Sequence, residues 1–282
     1  MSDKTKIIHI LSHSPGKAVY DAKPGDLNPT LGSNHRDDYK YYERIDSYPY
    51  WVGFFQNDWH VLVAKETLKR TNKYDIECWR PYQGLDEIYS KTVNGIKHVV
   101  FPSKQLFPWL RVFGKGFRGE SSPEMARTLK DEVKKNNIII HLHHYGYLTD
   151  YIGRMFGDCP IYSAQVGGTC SKNRLILTKK PLDKLVQLFN TVLQSKMISN
   201  SDVYTTESSR EFETIHDINT SSERLPCDGI DVDWYLKDRA VSRDHLGISR
   251  TKKVILHVGP FTKMKGLELI IDAYHHLKTK YD

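Results

Sequence analysis

The sequence predicts an α/β fold built on a parallel β-sheet. Short apolar segments alternate along the chain with longer segments whose apolar residues recur at helical spacing. One of the short segments, at 138–142, is apolar except for a single histidine, which is typical of a strand buried on both faces of a parallel sheet. The 282 residues are 39% hydrophobic and 27% charged, a globular composition that excludes disordered, collagen-like and disulfide-rich chains. No apolar run reaches the roughly 18 residues that a membrane-spanning helix needs.

The first half of the chain supplies strands and helices in turn. The predicted elements are a strand at 6–12, a helix at 58–71, strands at 74–79 and 96–101, and a helix at 123–135. The second helix has a start signal, because Ser121 can cap it, Glu124 completes a capping box and Pro123 is tolerated in the first turn. Its apolar stripe is expected to consist of Ala126, Leu129 and Val133.

The second half continues the alternation and then starts a new unit. The predicted elements are a strand at 138–142, a helix at 148–156, a strand at 160–164, a helix from Pro181, a strand at 202–206, a polar connector at 207–224, a strand at 253–258 and a helix at 266–278. The stripe of the helix from Pro181 is expected to comprise Leu182, Leu185, Val186, Phe189, Val192 and Leu193. We therefore expect a first domain at 1–224, a linker at 225–238 and the beginning of a second domain at 239–282.

Five segments resemble, in the same order, motifs of glycosyltransferase family 4. The segment VILHVGPFTKMKGLELIIDAYHHLK at 254–278 is similar to the opening of that family's C-terminal domain. LPCDGIDVDWYL resembles its interdomain linker, while KIIHILSHSPG, IIIHLHHYGYL and CPIYSAQVGG resemble strands and turns of its N-terminal domain. The family has the GT-B fold, in which two Rossmann-like domains face each other across a cleft. The resemblance implies a GT-B N-terminal domain plus the first strand and helix of the second domain.

The resemblance also implies a reaction. A retaining, hexosyltransferase-type enzyme of carbohydrate biosynthesis would move a sugar from a nucleotide diphosphate sugar to a hydroxyl of a glycan or lipid-linked acceptor. The nucleotide sugar is a co-substrate, and no cofactor or metal is expected. A loop that leads into a helix N-terminus suits a phosphate on physical grounds, because free backbone N–H groups and the helix dipole favour an anion there. By resemblance, Gly259, Lys265 and Gly266 are expected to bind the donor phosphates. The other interpretation, which spacing alone favours, is that Lys263 and Lys265 are solvated loop lysines.

The acceptor side is expected to lie at the first strand. By resemblance, His13, Gly16 and Gly53 line the acceptor pocket, and His143 lines it in a catalytic role. The long interval at 17–51 is rich in Tyr, Asp and Asn, and it is either an insertion that shapes this pocket or a surface excursion without a ligand role.

The sequence departs from the family pattern at three places. Pro260 stands where the family usually has an arginine, and it carries neither charge nor N–H. Val166 or Gln165 stands at the position of a family histidine that lies beside the donor sugar. The family's paired glutamates would fall beyond Asp282, so we expect a truncated chain that is inactive alone. The alternative is a non-catalytic binding module, or one subunit of a two-chain glycosyltransferase whose partner chain completes the donor domain.

Three histidines, His141, His143 and His144, cluster at the end of one predicted strand. Strand alternation sends His141 and His143 to one face and His144 to the other. Ligands gather at this edge of an open α/β sheet, so the cluster either lines the cleft or packs in the core. A metal site would need a further ligand such as Asp150, and nothing in the sequence fixes its position.

The segment at 101–119 combines cations with aromatic residues and has no acid. Trp109, Arg111, Lys115 and Arg118 fit a membrane interface. The other interpretation is a loop whose aromatics complete the core while its cations extend to water. Both stay open, and the expected location is the cytoplasm, with peripheral contact at the cytoplasmic face of a membrane.

The charge and the cysteines constrain the partners. Lys and Arg number 41 against 34 Asp and Glu, a net charge of +7 that favours anionic partners. The cations are spread along the chain without an arginine-rich block, so nucleic acid is not expected. The four cysteines form no C-x-x-C pair, which is typical of free thiols in a reducing compartment rather than of a zinc ribbon.

Overall fold

Two compact units make up the part of the chain that the structure, a computed structural model, describes. The described residues are 4–11, 59–82, 85–93, 95–106, 120–143, 146–165, 170–225, 243–255 and 266–281. Those from 4 to 225 belong to the first unit and those from 243 to 281 to the second.

An eight-stranded sheet forms the centre of the first unit. Its strands are β1 (Thr5–Leu11), β2 (Tyr74–Tyr82), β3 (Tyr89–Val93), β4 (Ile96–Pro102), β7 (Ile138–His143), β8 (Ile161–Gln165), β9 (Val203–Thr206) and β10 (Ser222–Arg224). Two short strands, β5 (Lys104–Gln105) and β6 (Glu120–Ser121), pair separately. The order is β10-β9-β8-β7-β1-β2-β4-β3, and every neighbouring pair is parallel except β3 with β4. The predicted α/β class with a parallel sheet is confirmed.

Helices cover both faces of this sheet. In the first unit they are α1 (Trp59–Arg70), α2 (Pro123–Lys135), α3 (Tyr147–Met155), α4 (Ser171–Leu177), α5 (Pro181–Asn200) and α6 (Ser209–His216). Apolar residues of α2, α3, α5 and α6 pack with Ile8, Ile10 and Leu142 on one face. On the other face, α1 packs through Val61 and Ala64.

The strand order reverses at the centre of the sheet. After β1 the chain adds β2 and β4 on one side, and it then returns to place β7 on the other side of β1. The ends of β1 and β7 therefore meet at a topological switch point, where open α/β sheets bind their ligands.

The start of α2 differs from the prediction by one residue. Ser122, rather than Ser121, caps the helix, and its Oγ accepts a hydrogen bond of 3.3 Å from the Met125 N–H. Ser121 belongs to β6, where its backbone pairs with Lys104. The buried residues of α2 are Met125 and Leu129.

The predicted stripe of α5 is largely wrong, because Leu193 alone among its described residues is buried. Leu185, Phe189 and Val192 are 63%, 48% and 60% exposed. The buried residues of the helix are Gln187, Leu193, Gln194, Met197 and Ile198. Apolar residues occur on two sides of this helix, and the packing partners, which periodicity does not reveal, decide which side is covered.

The predicted polar connector at 207–224 is also wrong, because it contains α6 and β10. Ser208 caps α6 by accepting a hydrogen bond from the Glu211 N–H, and Ile215 is fully buried. Only one core residue marks this short helix, so its composition resembles that of a loop.

The second unit is described by a short segment and one helix. Helix α7 (Leu267–Tyr281) begins where it was predicted. Of the predicted strand at 253–258, residues 253–255 are described and form no strand. In α7, Ile271, Tyr274 and Leu277 are about half exposed rather than buried. Among the described helices, none has the length and hydropathy needed to cross a membrane.

Candidate functional site at the ends of strands β1 and β7

Three buried histidines share one face of the sheet at the switch point. His9 of β1 lies directly beside His141 of β7 in the parallel register. His143 follows His141 by two residues, and therefore points to the same face. Their exposed fractions are 3%, 6% and 0%, respectively.

The three imidazole rings touch one another. The Nδ1 atom of His9 lies 2.8 Å from Nε2 of His143, a hydrogen bond whose donor depends on the tautomer. The His141 ring centroid lies 3.9 Å from that of His143 and 4.6 Å from that of His9. On its other side, His141 contacts Tyr162 of β8 at 4.3 Å between ring centroids. No hydrogen bond reaches Nε2 of His141 from the residues that the structure describes.

Burial keeps the His9 and His141 rings neutral near pH 7. It lowers the pKa of His9 from 6.5 to about 4. Burial and the neighbouring charge of His9 lower the pKa of His141 well below its usual value. Each of these two rings therefore has one nitrogen that donates and one that accepts a hydrogen bond.

The polar face continues across β2 and β4. In the register, Cys78 lies beside His9, and His98 lies beside Cys78. Arg80, two residues beyond Cys78, is only 1% exposed. Burial and the positive charges of Arg80 and Lys65 lower the pKa of His98 to about 4. Burial raises the pKa of the Cys78 thiol to about 12, which excludes a reactive thiolate there.

These groups suit an uncharged or anionic ligand rich in oxygen atoms. Neutral imidazoles can exchange hydrogen bonds with hydroxyl groups, and the Arg80 guanidinium has the geometry for a phosphate. His9, His141 and His143 each offer a nitrogen within 4.8 Å of the others, and three imidazoles also occur in zinc sites. Arg80, however, places a positive charge on the same face, which disfavours a cation. The expectation of no metal stays a prediction.

A second polar cluster fixes the start of α4. The carboxylate of Glu211, on α6, accepts hydrogen bonds from the Cys170 N–H at 2.6 Å and from the Asn173 side chain at 3.1 Å. The Gln194 side chain, on α5, accepts one of 2.5 Å from the Ser171 N–H. Two other helices thus satisfy the first N–H groups of α4. These hydrogen bonds fix the chain at Cys170 and Ser171. The two residues follow closely after Val166, which the resemblance places on the donor side.

One donor-side residue is described. Gly266 has φ +66°, in the left-handed region that favours glycine, and directly precedes α7. Its carbonyl accepts a hydrogen bond of 3.3 Å from the Ile270 N–H, the first turn of the helix. The chain therefore turns sharply into a 15-residue helix whose first N–H groups lack intrahelical partners.

Most other predicted site residues lie outside the described part of the chain. These are His13, Gly16, Gly53, Trp109, Arg111, Lys115, Arg118, His144, Val166, Gly259, Pro260 and Lys265. The structure thus places His143 and Gly266, in different units, and leaves the remaining assignments as predictions.

Sequence reasoning missed His9, which contacts His143, and the other polar residues of the same sheet face. His9 interrupts an apolar run, and Arg80 and His98 interrupt two others, so polar residues inside predicted strands were the available signal. Only the strand order shows that these residues belong to one face.

Comparisons with known proteins identify the fold. No protein-family model matches the sequence, and no curated protein matches it. The structure of sucrose-phosphate synthase from Thermosynechococcus elongatus is similar over 96% of this chain and 60% of that chain, with 13% identity and a TM-score of 0.53. A structure from a study of glycosyltransfer with retention by trehalose-6-phosphate synthase is similar over 97% and 60%, with 11% identity and a TM-score of 0.52.

The class that these similarities define is the GT-B glycosyltransferase fold, as the sequence motifs implied. This chain spans about 60% of the length of the two structures. Identities of 11% and 13% establish the fold alone, and membership of family 4 stays a prediction.

Proposed function

We propose that this chain is part of a retaining glycosyltransferase that moves a sugar from a nucleotide diphosphate sugar to an acceptor hydroxyl. The observation that carries the proposal is the buried histidine cluster at the β1/β7 switch point of a GT-B sheet. Ligands of open α/β sheets bind at this edge, and neutral imidazoles are suited to hydroxyl groups.

On the acceptor side, His143 is the central residue. It is the last residue of β7 and contacts the His9 ring through Nε2, which holds its ring in place. In the proposed role, it orients the acceptor hydroxyl, and His13, Gly16 and Gly53 complete the pocket. The two similar structures belong to enzymes named for sugar phosphates, and the buried Arg80 would suit such a group, so a phosphorylated sugar belongs among the candidate acceptors.

On the donor side, Gly259, Lys265 and the N-terminus of α7 would hold the diphosphate. The left-handed turn at Gly266 supports this role, because it directly precedes α7. The N–H groups of the first turn of a helix have no intrahelical partners, and they can donate hydrogen bonds to a phosphate. Lys265 would add a positive charge that stabilises the leaving diphosphate. Pro260 supplies neither N–H nor charge, so we assign more of the binding to Lys265 than the family pattern would.

The test is a donor and acceptor screen with the complete natural protein. Release of nucleoside diphosphate is measured for a panel of nucleotide sugars with free sugars, phosphorylated sugars and a lipid-linked glycan, and the product anomer is read by NMR. Lys265→Ala should weaken donor binding by about tenfold or more, because a phosphate loses its charged partner. Lys278→Ala, at the far end of the same helix, is the matched control.

A parallel pair of variants tests the acceptor side. His143→Gln should reduce transfer while leaving donor binding unchanged, and the exposed His276→Gln should change neither. Donor binding without transfer to any acceptor would favour the non-catalytic module instead. An absence of both would overturn the proposal. Peripheral membrane contact through 101–119 and a partner chain for the donor domain remain part of this proposal, tested by vesicle binding of Trp109→Ala and by co-purification.

A further inference from the structure

The outer surface of α4 and α5 has a patch of exposed apolar side chains. Leu185, Leu188, Phe189 and Val192 are between 48% and 63% exposed. Their spacing of i, i+3, i+4 and i+7 places them on one face of α5. Ile176 and Leu177, at the end of α4, are 76% and 60% exposed. These six residues are called the α4–α5 patch.

Positive charge surrounds the patch. Residues 172–196 contain six cations and one acid, Asp183, so this segment has a net charge of +5. The cations, all exposed, are Lys172, Arg174, Lys179, Lys180, Lys184 and Lys196. A surface that joins large apolar side chains to long cationic ones is typical of helices that lie in a lipid interface.

The orientation of α5 is fixed by its opposite face. Met197 and Ile198 are buried in the core cluster. The Asn200 side chain donates a hydrogen bond of 3.0 Å to the Gly153 carbonyl on α3, and Gln194 holds the start of α4. Because these contacts attach α5 to the sheet layer from the inside, the apolar patch faces outward as part of the folded unit.

An open groove continues the same face of α5. It has a volume of about 630 Å³, and Arg154, Val192, Ser195, Lys196 and Ser199 are among its lining residues. Two cations and three hydroxyl groups, those of Thr191, Ser195 and Ser199, thus lie directly beside the apolar patch. This combination suits the phosphate of a lipid headgroup whose acyl chains lie under the patch.

We propose that the α4–α5 patch docks this unit on an anionic lipid surface. The apolar side chains enter the headgroup region, while the surrounding lysines and arginine meet the lipid phosphates. A second copy of the chain is a poorer partner, because a symmetric contact would bring two segments of +5 together. The proposal is independent of the transfer chemistry and of the expectation for 101–119, because it uses neither set of residues.

Helix α7 provides a natural comparison. Leu269 and Ile271 are 73% and 56% exposed, so it also has exposed apolar residues. Its charges are balanced, however, because Glu268 and Asp272 offset Lys278 and Lys280. We therefore expect α7 not to prefer anionic lipid, which makes it the site of the matched control.

The experiment measures vesicle flotation of the full chain. Vesicles of phosphatidylcholine alone are compared with vesicles that contain about 30% phosphatidylglycerol, which supplies the negative surface potential. We expect binding to the anionic vesicles to be about tenfold stronger or more, and to fall as salt is added. Leu185→Gln/Leu188→Gln should abolish most of this binding, whereas Leu269→Gln/Ile271→Gln should leave it unchanged.

Each outcome decides the proposal. Far-UV circular dichroism and the melting temperature check that both double variants fold, as expected for exposed sites. Equal binding to both vesicle types, or full binding by Leu185→Gln/Leu188→Gln, would overturn it. A dimer in light scattering that the same variant dissociates would assign the patch to a second copy. A monomer that binds neither vesicle type would also overturn the proposal, and it would favour an acidic protein as the partner of the patch.

Discussion

Acid should destabilise this fold through its buried histidines before it protonates most carboxylates. His9 and His98 have a pKa of about 4 in the folded protein, against 6.5 without burial. The unfolded chain therefore binds more protons than the folded chain between these values. Stability is fully present above about pH 6.5 and is lost as the pH falls towards 4.

The size of the loss follows from the shifts. A difference of 2.5 pKa values corresponds to about 3 kcal/mol for each histidine once both states are protonated. At pH 5 about 2 kcal/mol of this is lost for each, so the pair costs about 4 kcal/mol. That is a large part of a typical free energy of unfolding of about 5–15 kcal/mol. His141 adds a loss in the same direction, because its pKa is also lowered by burial.

Two carboxyl groups also change the free energy of unfolding with pH, and one of them sets the lower pH limit of the measurement. Burial alone would raise the pKa of Glu77, but hydrogen bonds from the Trp79 indole and the Lys6 ammonium lower it overall. The stability from Glu77 is therefore lost only below its usual range near 4.5, and the measurement should stop at pH 5. Asp150 acts in the opposite direction, because burial raises its pKa and favours the protonated folded state.

The assay is urea unfolding, followed by tryptophan fluorescence, at several pH values between 7.5 and 5. In an Asp150→Asn background, which removes the opposing contribution of this carboxyl, the free energy of unfolding should fall steadily over this range, and adding His98→Gln should make the slope smaller. The exposed His276→Gln is the control and should keep the full slope. A free energy of unfolding that stays level between pH 7.5 and 5 in the Asp150→Asn background, or a His9 ring that titrates near 6.5 by NMR, would refute the reasoning.

Three further predictions rest on single contacts. Gly153→Ala should lower the free energy of unfolding by about 1–3 kcal/mol in urea melts, because the new Cβ would overlap Met197 and lie 2.9 Å from the Leu142 side chain. Asp150→Asn should become more stabilising relative to the natural chain as the pH rises from 5.5 to 8.5, because the buried carboxyl no longer has to ionise; a constant difference in melting temperature would contradict this. Dialysis against a chelator should leave the melting temperature unchanged, because the histidine cluster is expected to hold no metal ion. One zinc ion per chain that remains bound in the natural chain and is lost in His141→Gln would show that the cluster is a metal site.

Local patterns in the sequence predict the elements that build the sheet. The run at 138–142 predicts β7 because it is apolar on both faces, and the observed strand extends one residue further, to His143. Pro123 marks the start of α2 as predicted, whereas the predicted capping box is wrong, because Ser122 caps the helix and the Glu124 carboxylate accepts a hydrogen bond from Arg127. Alternation also places His141 and His143 together, since this follows from one strand alone.

Contacts between distant segments cannot be predicted in the same way. His9 and His143 are 134 residues apart and meet only because β1 and β7 are neighbours in the sheet. The hydrogen bond between Glu211 and the Cys170 N–H spans 41 residues and has no local signal at either end. The exposed side of α5 was assigned wrongly for the same reason, since its partner surface on α3 is set by tertiary packing.

Burying polar side chains at the switch point lowers the free energy of unfolding unless each of them finds a hydrogen-bond partner. The same strands have fully apolar residues on the opposite face, where Ile8, Ile10 and Leu142 are at most 1% exposed. Apolar side chains at the positions of His9 and His141 would avoid the cost of burying neutral imidazoles and a Nε2 atom without a described partner. Sequences usually break such local rules at functional sites, where a ligand later supplies the missing partners. Ligand binding therefore explains the histidine cluster better than core packing does, because the cluster lies towards the ends of β1 and β7 at the switch point.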